Sequence, residues 1–257
     1  MAEYPYWNED ELIASDDHPT LLAIGDSWCW YPINNLLNPI NNLLNLLSTD
    51  YHAILVRGAN GADTTDLVKP VIMQIINQDL SLVGGYGETL KAVLISAGGN
   101  DIAGEKKINK LLRSDCSDAE SVIDCFNQSG IEAVFTEIEQ YYQILVDTIL
   151  GKLPQTTIFI HSYDHPIPDG KSLQQPMVKR KVPKQLQQPV VTELFDLLAG
   201  VMSKLASANG AIEFVDCRNT LLPSDWLNEL HPTPLGFDKL AGPWEIALRK
   251  RGFLSPR

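Results

Sequence analysis

Five short apolar runs, at 21–25, 51–56, 92–97, 157–161 and 211–215, constrain this chain more than any other feature. Each is rich in Ile, Val, Leu or Ala. None alternates cleanly between apolar and polar, which is the pattern of strands covered on both faces. Helical stripes separate them. Residues 66–78 carry apolar side chains at 67, 68, 71, 72, 75 and 76, and residues 131–150 continue the same spacing through ten positions. Further helices are expected over 190–206 and 237–251. Strand–helix alternation of this kind predicts a parallel sheet with helices on both faces. In such sheets the functional groups gather at the carboxyl ends of the strands. The chain has 257 residues and no clear linker, so a single domain over 1–257 is expected.

Two inter-strand segments are long. Residues 104–130 are polar and contain Cys116 and Cys125; they read either as a cap inserted beside the site or as a passive surface excursion. Residues 169–189, rich in Pro, Gln and Lys, read as a second long loop. A seven-residue duplication, Pro-Ile-Asn-Asn-Leu-Leu-Asn, fills 32–45. Its Ile and Leu positions form one apolar helical face that Pro39 should kink, expected as plain core, as the lining of an acyl pocket or as a contact with a partner. The four cysteines, Cys29, Cys116, Cys125 and Cys217, lack metal-ligand spacing and are expected as free thiols, with a Cys116–Cys125 pair as the alternative.

The formal net charge is -12, from 32 acidic and 20 basic residues, which argues against a nucleic-acid partner, since phosphate backbones call for a dense Lys/Arg surface. No apolar run approaches the length of a transmembrane helix, and the first residues show neither a basic nor an apolar signal-peptide region. The expectation is a cytoplasmic protein acting on a small molecule; the oligomeric state is left open.

The chemistry-bearing residues fall at the strand ends. The first strand runs into Gly25-Asp26-Ser27-Trp28, placing a hydroxyl where a helix begins and free backbone N–H groups can support an oxyanion. The second is followed by Gly58-Ala59-Asn60-Gly61, where a glycine N–H can approach a ligand closely. The third ends in Gly98-Gly99-Asn100-Asp101, whose asparagine can aim its carboxamide at the same oxyanion. Late in the chain, His231-Pro232 can bring an imidazole over that rim, as a serine hydroxyl needs an adjacent base at neutral pH. The fourth strand ends in His161-Ser162-Tyr163-Asp164-His165; no further ligand cluster supports a metal there, so none is expected, and Tyr163 and Asp164 are candidates for the site lining. Trp28, Trp30 and Tyr31 form either an aromatic wall for a substrate or packing for the first helix.

Taken together, these pieces resemble the SGNH (GDSL-like) hydrolase family. The family's four marks match Ser27 in Gly-Asp-Ser, Gly61 (with Gly58 as the alternative), Asn100 in Gly-Gly-Asn-Asp, and His231, in family order over almost the whole chain. The resemblance implies a flavodoxin-like three-layer α/β/α sandwich with a five-stranded parallel sheet. It implies ester hydrolysis through an acyl-serine intermediate, of short acyl or acetyl esters, without a cofactor. Ser27 would be the nucleophile and His231 the base, with the Ser27 and Gly61 N–H groups and the Asn100 side chain as the oxyanion hole. Acyl transfer to an alcohol on the same scaffold is the neighbouring possibility.

One position departs from the pattern. The family usually carries Asp three residues before the histidine, and this chain has Asn228. A carboxylate there holds the imidazole and stabilises its protonated form; an amide oxygen can hold it but brings no charge. Three outcomes stand: Asn228 orients His231, a carboxylate from elsewhere (Asp225, Glu229 or Asp164) replaces it, or the site is slow or silent and the chain binds esters or sugars without cleaving them.

Overall fold

The computed structural model describes residues 5–30, 35–37, 43, 47, 50 and 52–255. Five parallel strands form one sheet: β1 (Leu21–Gly25), β2 (Ile54–Gly58), β3 (Ala92–Ser96), β4 (Thr157–His161) and β5 (Ile212–Val215), in the order β2-β1-β3-β4-β5. Helices cover both faces. Every residue of β1 and β3 is buried, so their apolar side chains each contribute roughly 1.5–3 kcal/mol relative to exposure. This explains why those runs read as continuously apolar rather than alternating. In register, Gly25 lies opposite both Gly58 and Ser96, which levels the carboxyl ends of the three strands that carry Ser27, Gly61 and Asn100.

In chain order the helices are α1 (Glu9–Ala14), α2 (Ser27–Trp30), α3 (Thr64–Leu67), α4 (Pro70–Asp79), α5 (Gly99–Ile102), α6 (Glu105–Leu111), α7 (Val122–Cys125), α8 (Gln128–Lys152), α9 (Gln174–Lys179), α10 (Lys184–Ala208) and α11 (Pro234–Lys250). Where they depart from the sequence-based expectation, the cause is local. The stripe over 66–78 is two helices, because Pro70 lacks the N–H a continuous helix needs and instead opens α4 as its first residue. Asp63 starts α3 with a reciprocal capping box to Asp66. The helix expected from 190 begins at Lys184: Pro189 removes one helical bond, costing about 3 kcal/mol, and the burial of Val190, Val191, Leu194 and Phe195 outweighs it. The second strand runs Ile54–Gly58 and so takes in Arg57 and Gly58 beyond the apolar run. Ahead of it, His52 is held by Thr20 Oγ1 at 3.0 Å and the Phe253 carbonyl at 2.8 Å.

Neither long segment is a loop throughout. Residues 104–130 contain α6 and α7, joined by a bridge between Leu112 and Phe126, and dock through Gly104 N–H on the Ser172 carbonyl and Cys116 N–H on the Arg180 carbonyl. Residues 169–189 contain α9 and the start of α10. All four cysteines are free and buried. The duplication at 32–45 lies largely outside the described residues; within them, Leu36, Leu37 and Leu43 are buried in the core. Among the described residues no helix is long and apolar enough to cross a membrane.

Candidate active site

Close strand packing sets the rim. A Cβ on Gly58 would stand 1.9 Å from the Gly25 carbonyl oxygen, and one on Gly25 would stand 2.6 Å from that of Ser96, so only glycine permits these level, tightly spaced strand ends. Immediately beyond Gly25 the chain turns at buried Asp26 into α2, whose first residue is Ser27. The Ser27 N–H therefore sits in the first helical turn and has no acceptor among the described residues.

His231 arrives on the loop between β5 and α11. That loop closes on itself: Leu227 N–H donates to the His231 carbonyl at 2.9 Å, and Trp226 pairs with Pro232. Thr233 then caps α11 through the Gly236 N–H, and Pro234 occupies its first position. The indole N–H of Trp28 donates to the Leu230 carbonyl at 3.1 Å, tying this loop to the helix that carries Ser27. The result is a contact of 2.9 Å between His231 Nε2 and Ser27 Oγ.

On the other side of the ring, His231 Nδ1 lies 3.1 Å from Asn228 Oδ1. The same oxygen accepts the N–H groups of Leu230 and His231, each at 3.0 Å, which fixes it as the end of the amide that faces the ring. An acceptor oxygen requires Nδ1 to carry the proton, and Nε2 is then left with a lone pair toward the Ser27 hydroxyl. Burial holds His231 below the usual histidine range, which keeps it neutral.

The three carboxylates considered as substitutes are engaged elsewhere. Asp225 pairs with Lys239 at 2.6 Å and accepts the Leu222 N–H. Glu229 is buried and staples the start of α9, accepting the N–H groups of Ser172, Leu173 and Gln174. Asp164 is buried and accepts the N–H groups of His165, Asn219, Thr220 and Leu221. Asp164 is therefore a scaffold for the loop after β5 and not part of the cleft wall, correcting the expectation that it lines the site.

A cleft open to solvent lies beside Ser27. Asp26, Ser27 and Trp28 line it from β1 and α2, Gly99 and Asn100 from the turn after β3, and Tyr163, Pro166, Phe195 and Leu230 from the far side. Trp28 is itself buried; its ring meets Tyr163 edge-on at 4.8 Å and stacks with His161 at 5.7 Å, so it is wall and packing at once. Ser96, Pro166, Phe195 and Leu230 escaped the sequence reading. Leu230 adjoins His231 in the chain, but nothing local marks Pro166 or Phe195, which tertiary packing brings to the cleft.

Gly61 is exposed, has φ +78°, and its N–H has no acceptor among the described residues. Gly58, the alternative, is a strand residue paired with Gly25. Asn100 joins the second turn to the third, its Nδ2 donating to the Ala62 carbonyl at 3.0 Å. Beneath these groups lies Asp26. Its Oδ1 accepts the Ser96 hydroxyl at 2.9 Å and the Trp28 N–H at 3.0 Å; its Oδ2 accepts the Tyr163 hydroxyl at 2.5 Å and faces Asn100 Nδ2 at 3.4 Å. Burial raises Asp26 to about 6 in spite of these donors, and the charge of Asp101 adds to the rise.

No protein-family model matches the sequence, and no curated protein is similar to it. Solved structures are. An extracellular lipase from Streptomyces rimosus aligns at TM-score 0.56 and 15% identity, over 89% of this chain and 99% of that one. A phospholipase A1 from Streptomyces albidoflavus aligns at 0.55 and 15%, over 90% and 98%. A protein described as a GDSL-like lipase, from Parabacteroides merdae, aligns at 0.52 and 17%, over 90% and 96%. The chain therefore has the α/β fold shared by the SGNH hydrolases, a single five-stranded parallel sheet between helices.

Proposed function

We propose that this protein is an ester hydrolase of the SGNH type, working through an acyl-serine intermediate on Ser27. The observation that carries the reading is the 2.9 Å contact between Ser27 Oγ and the unprotonated Nε2 of His231 at the carboxyl edge of the sheet. In the forward step Ser27 Oγ bonds to the ester carbonyl carbon while its proton passes to His231 Nε2. As the carbonyl re-forms, the ester C–O bond breaks, and His231 returns the proton to the leaving alcohol. Water then attacks the acyl-serine by the same route and regenerates Ser27. The negative charge on the carbonyl oxygen meets the N–H groups of Ser27 and Gly61 and the Asn100 carboxamide. Donors of this kind are worth about 3 kcal/mol each. The rings of Trp28, Tyr163 and Phe195 beside Ser27 favour short acyl or acetyl groups over long chains, and the likeness to lipases and a phospholipase supports carboxylic esters as the substrate class. Asn228 holds the imidazole in the reactive tautomer but cannot offset its positive charge.

The test is covalent labelling. A fluorophosphonate should modify Ser27, and Ser27→Ala should abolish both labelling and cleavage of a short-chain nitrophenyl ester. Hydrolysis by Ser27→Ala at the parent rate would remove the mechanism. One observation favours a second reading: His231 faces an amide, not a carboxylate. A silent ester-binding protein would leave Ser27 unlabelled while still binding ester.

A further inference from the structure

The buried cluster around Asp26 poses a problem that simple acyl-transfer chemistry does not answer. Asn100 has two N–H bonds on Nδ2, and one is committed to the Ala62 carbonyl at 3.0 Å. The other has a carboxylate nearby, Asp26 Oδ2 at 3.4 Å. An ionised carboxylate is a stronger acceptor than a neutral ester carbonyl, so Asp26 competes with the substrate for that N–H. The competition is held in check by the other groups on Asp26. Ser96 and the Trp28 N–H occupy Oδ1, and the Tyr163 hydroxyl occupies Oδ2 at 2.5 Å against the long 3.4 Å contact to Asn100. The Tyr163 phenol is buried and has no other strong partner among the described residues: its distance to the Ser96 hydroxyl is 3.5 Å. Its ring is held by the edge of Trp28 at 4.8 Å and by Gly99, where even a Cβ would come within 3.1 Å of the ring. Such a ring cannot swing away from Asp26 without displacing the wall of the cleft.

We propose that Tyr163 is a positioning residue: by occupying Asp26 Oδ2 it keeps one N–H of Asn100 available to the oxyanion that forms on Ser27 attack. The proposal rests on the acyl-transfer reading of the cleft. Asp26 and Ala62 together also fix which end of the Asn100 amide faces the cleft, because both are acceptors and both demand the NH₂ end. Without the phenol hydroxyl, Oδ2 takes the second Asn100 N–H, and the oxyanion loses a donor. The ground state, which bears no full charge on the carbonyl oxygen, loses little.

The test is a double-mutant cycle on the full chain. Tyr163→Phe, which keeps the ring and its packing, should lower kcat about tenfold or more while leaving KM within about twofold. It should weaken inhibition by an alkylboronic acid, which forms a tetrahedral adduct on Ser27, by a similar factor. In an Asn100→Ala background the same change should cost less than about twofold, since the donor it protects is already gone. Ser96→Ala supplies an independent variant: it strips a donor from Oδ1, the oxygen turned away from Asn100, and should cost kcat less than Tyr163→Phe. Equal losses in both backgrounds, a loss confined to KM, or a larger loss in Ser96→Ala would each overturn the proposal. An active Ser27→Ala protein would instead take down the underlying reading, so the two failures are distinguishable.

Discussion

Replacing Asn228 with Asp tests the least usual feature of the site. The geometry makes the change nearly free of side effects. Oδ1 keeps its three partners, the N–H groups of Leu230 and His231 at 3.0 Å and His231 Nδ1 at 3.1 Å, and the exchanged atom belongs to an exposed side chain. The new charge would lie about 4 Å from the centre of imidazolium charge; over effective dielectrics of about 20 to 80 that separation corresponds to roughly 1–4 kcal/mol. Asn228 is exposed and His231 only half-buried, so the lower part of the range applies, about 1–2 kcal/mol, or roughly 5- to 30-fold in kcat. The same energy raises the histidine's pKa, since the added carboxylate favours the imidazolium. Steady-state hydrolysis of a short nitrophenyl ester across the pH range should therefore show a higher alkaline plateau for the variant and an acid limb moved upward. Both effects should shrink at high ionic strength. An unchanged plateau with an unmoved limb would refute the claim that the missing charge limits this base.

Three further outcomes follow from the scaffold. Gly58→Ala places a Cβ 1.9 Å from the Gly25 carbonyl oxygen and should cost about 3 kcal/mol or more, read as a lowered thermal midpoint or as insoluble protein. Asp79 is buried against Arg57 at 2.7 Å, so Asp79→Ala leaves a mostly buried guanidinium unpaired and should cost about 3–5 kcal/mol in denaturant unfolding. Asp101 is raised from 3.8 to about 6 by burial, so the folded chain binds the extra proton between those values and stability falls as pH rises through that window. Asp101→Asn should therefore gain stability relative to the parent by about 2 kcal/mol between pH 4 and pH 7. The buried His161, pushed down to about 4, acts in the opposite sense over an overlapping range, so the readout is the difference between variant and parent; a pH-independent difference would contradict the assignment.

The sheet and its functional edge were legible because burial on both faces leaves strands with no polar alternation to blur them, and because Gly25, Gly58 and Gly98 punctuate their ends. Ser27 and Asn100 stood out for the same reason, since they follow those glycines, and His231 because Pro232 restrains it. What the sequence concealed was long-range. Asp164 carries the same local signature as a site residue, a carboxylate just past a strand, yet the loop at 219–221 folds back to consume it. Asp26 looks like an ordinary cap in sequence, and only the arrival of Tyr163 from just beyond β4 and Ser96 from β3 joins the Trp28 N–H to make it a buried three-donor hub, with Asn100 at a longer 3.4 Å. Polar composition disguised α6, α7 and α9 as loop, since short helices need few apolar positions when they pack on other helices, α6 on α8 and α9 and α7 on α10.

The indole of Trp28 has a mechanical consequence. Because it grips a carbonyl 202 residues away, one position before His231, the helix that carries Ser27 and the loop that carries His231 are tied directly to each other. Slack elsewhere in the fold, at the edge strands or the termini, should lower the melting temperature with less effect on the Ser27–His231 distance. Cutting the indole's one polar tether would have the reverse effect, leaving a well-folded chain whose imidazole drifts out of range.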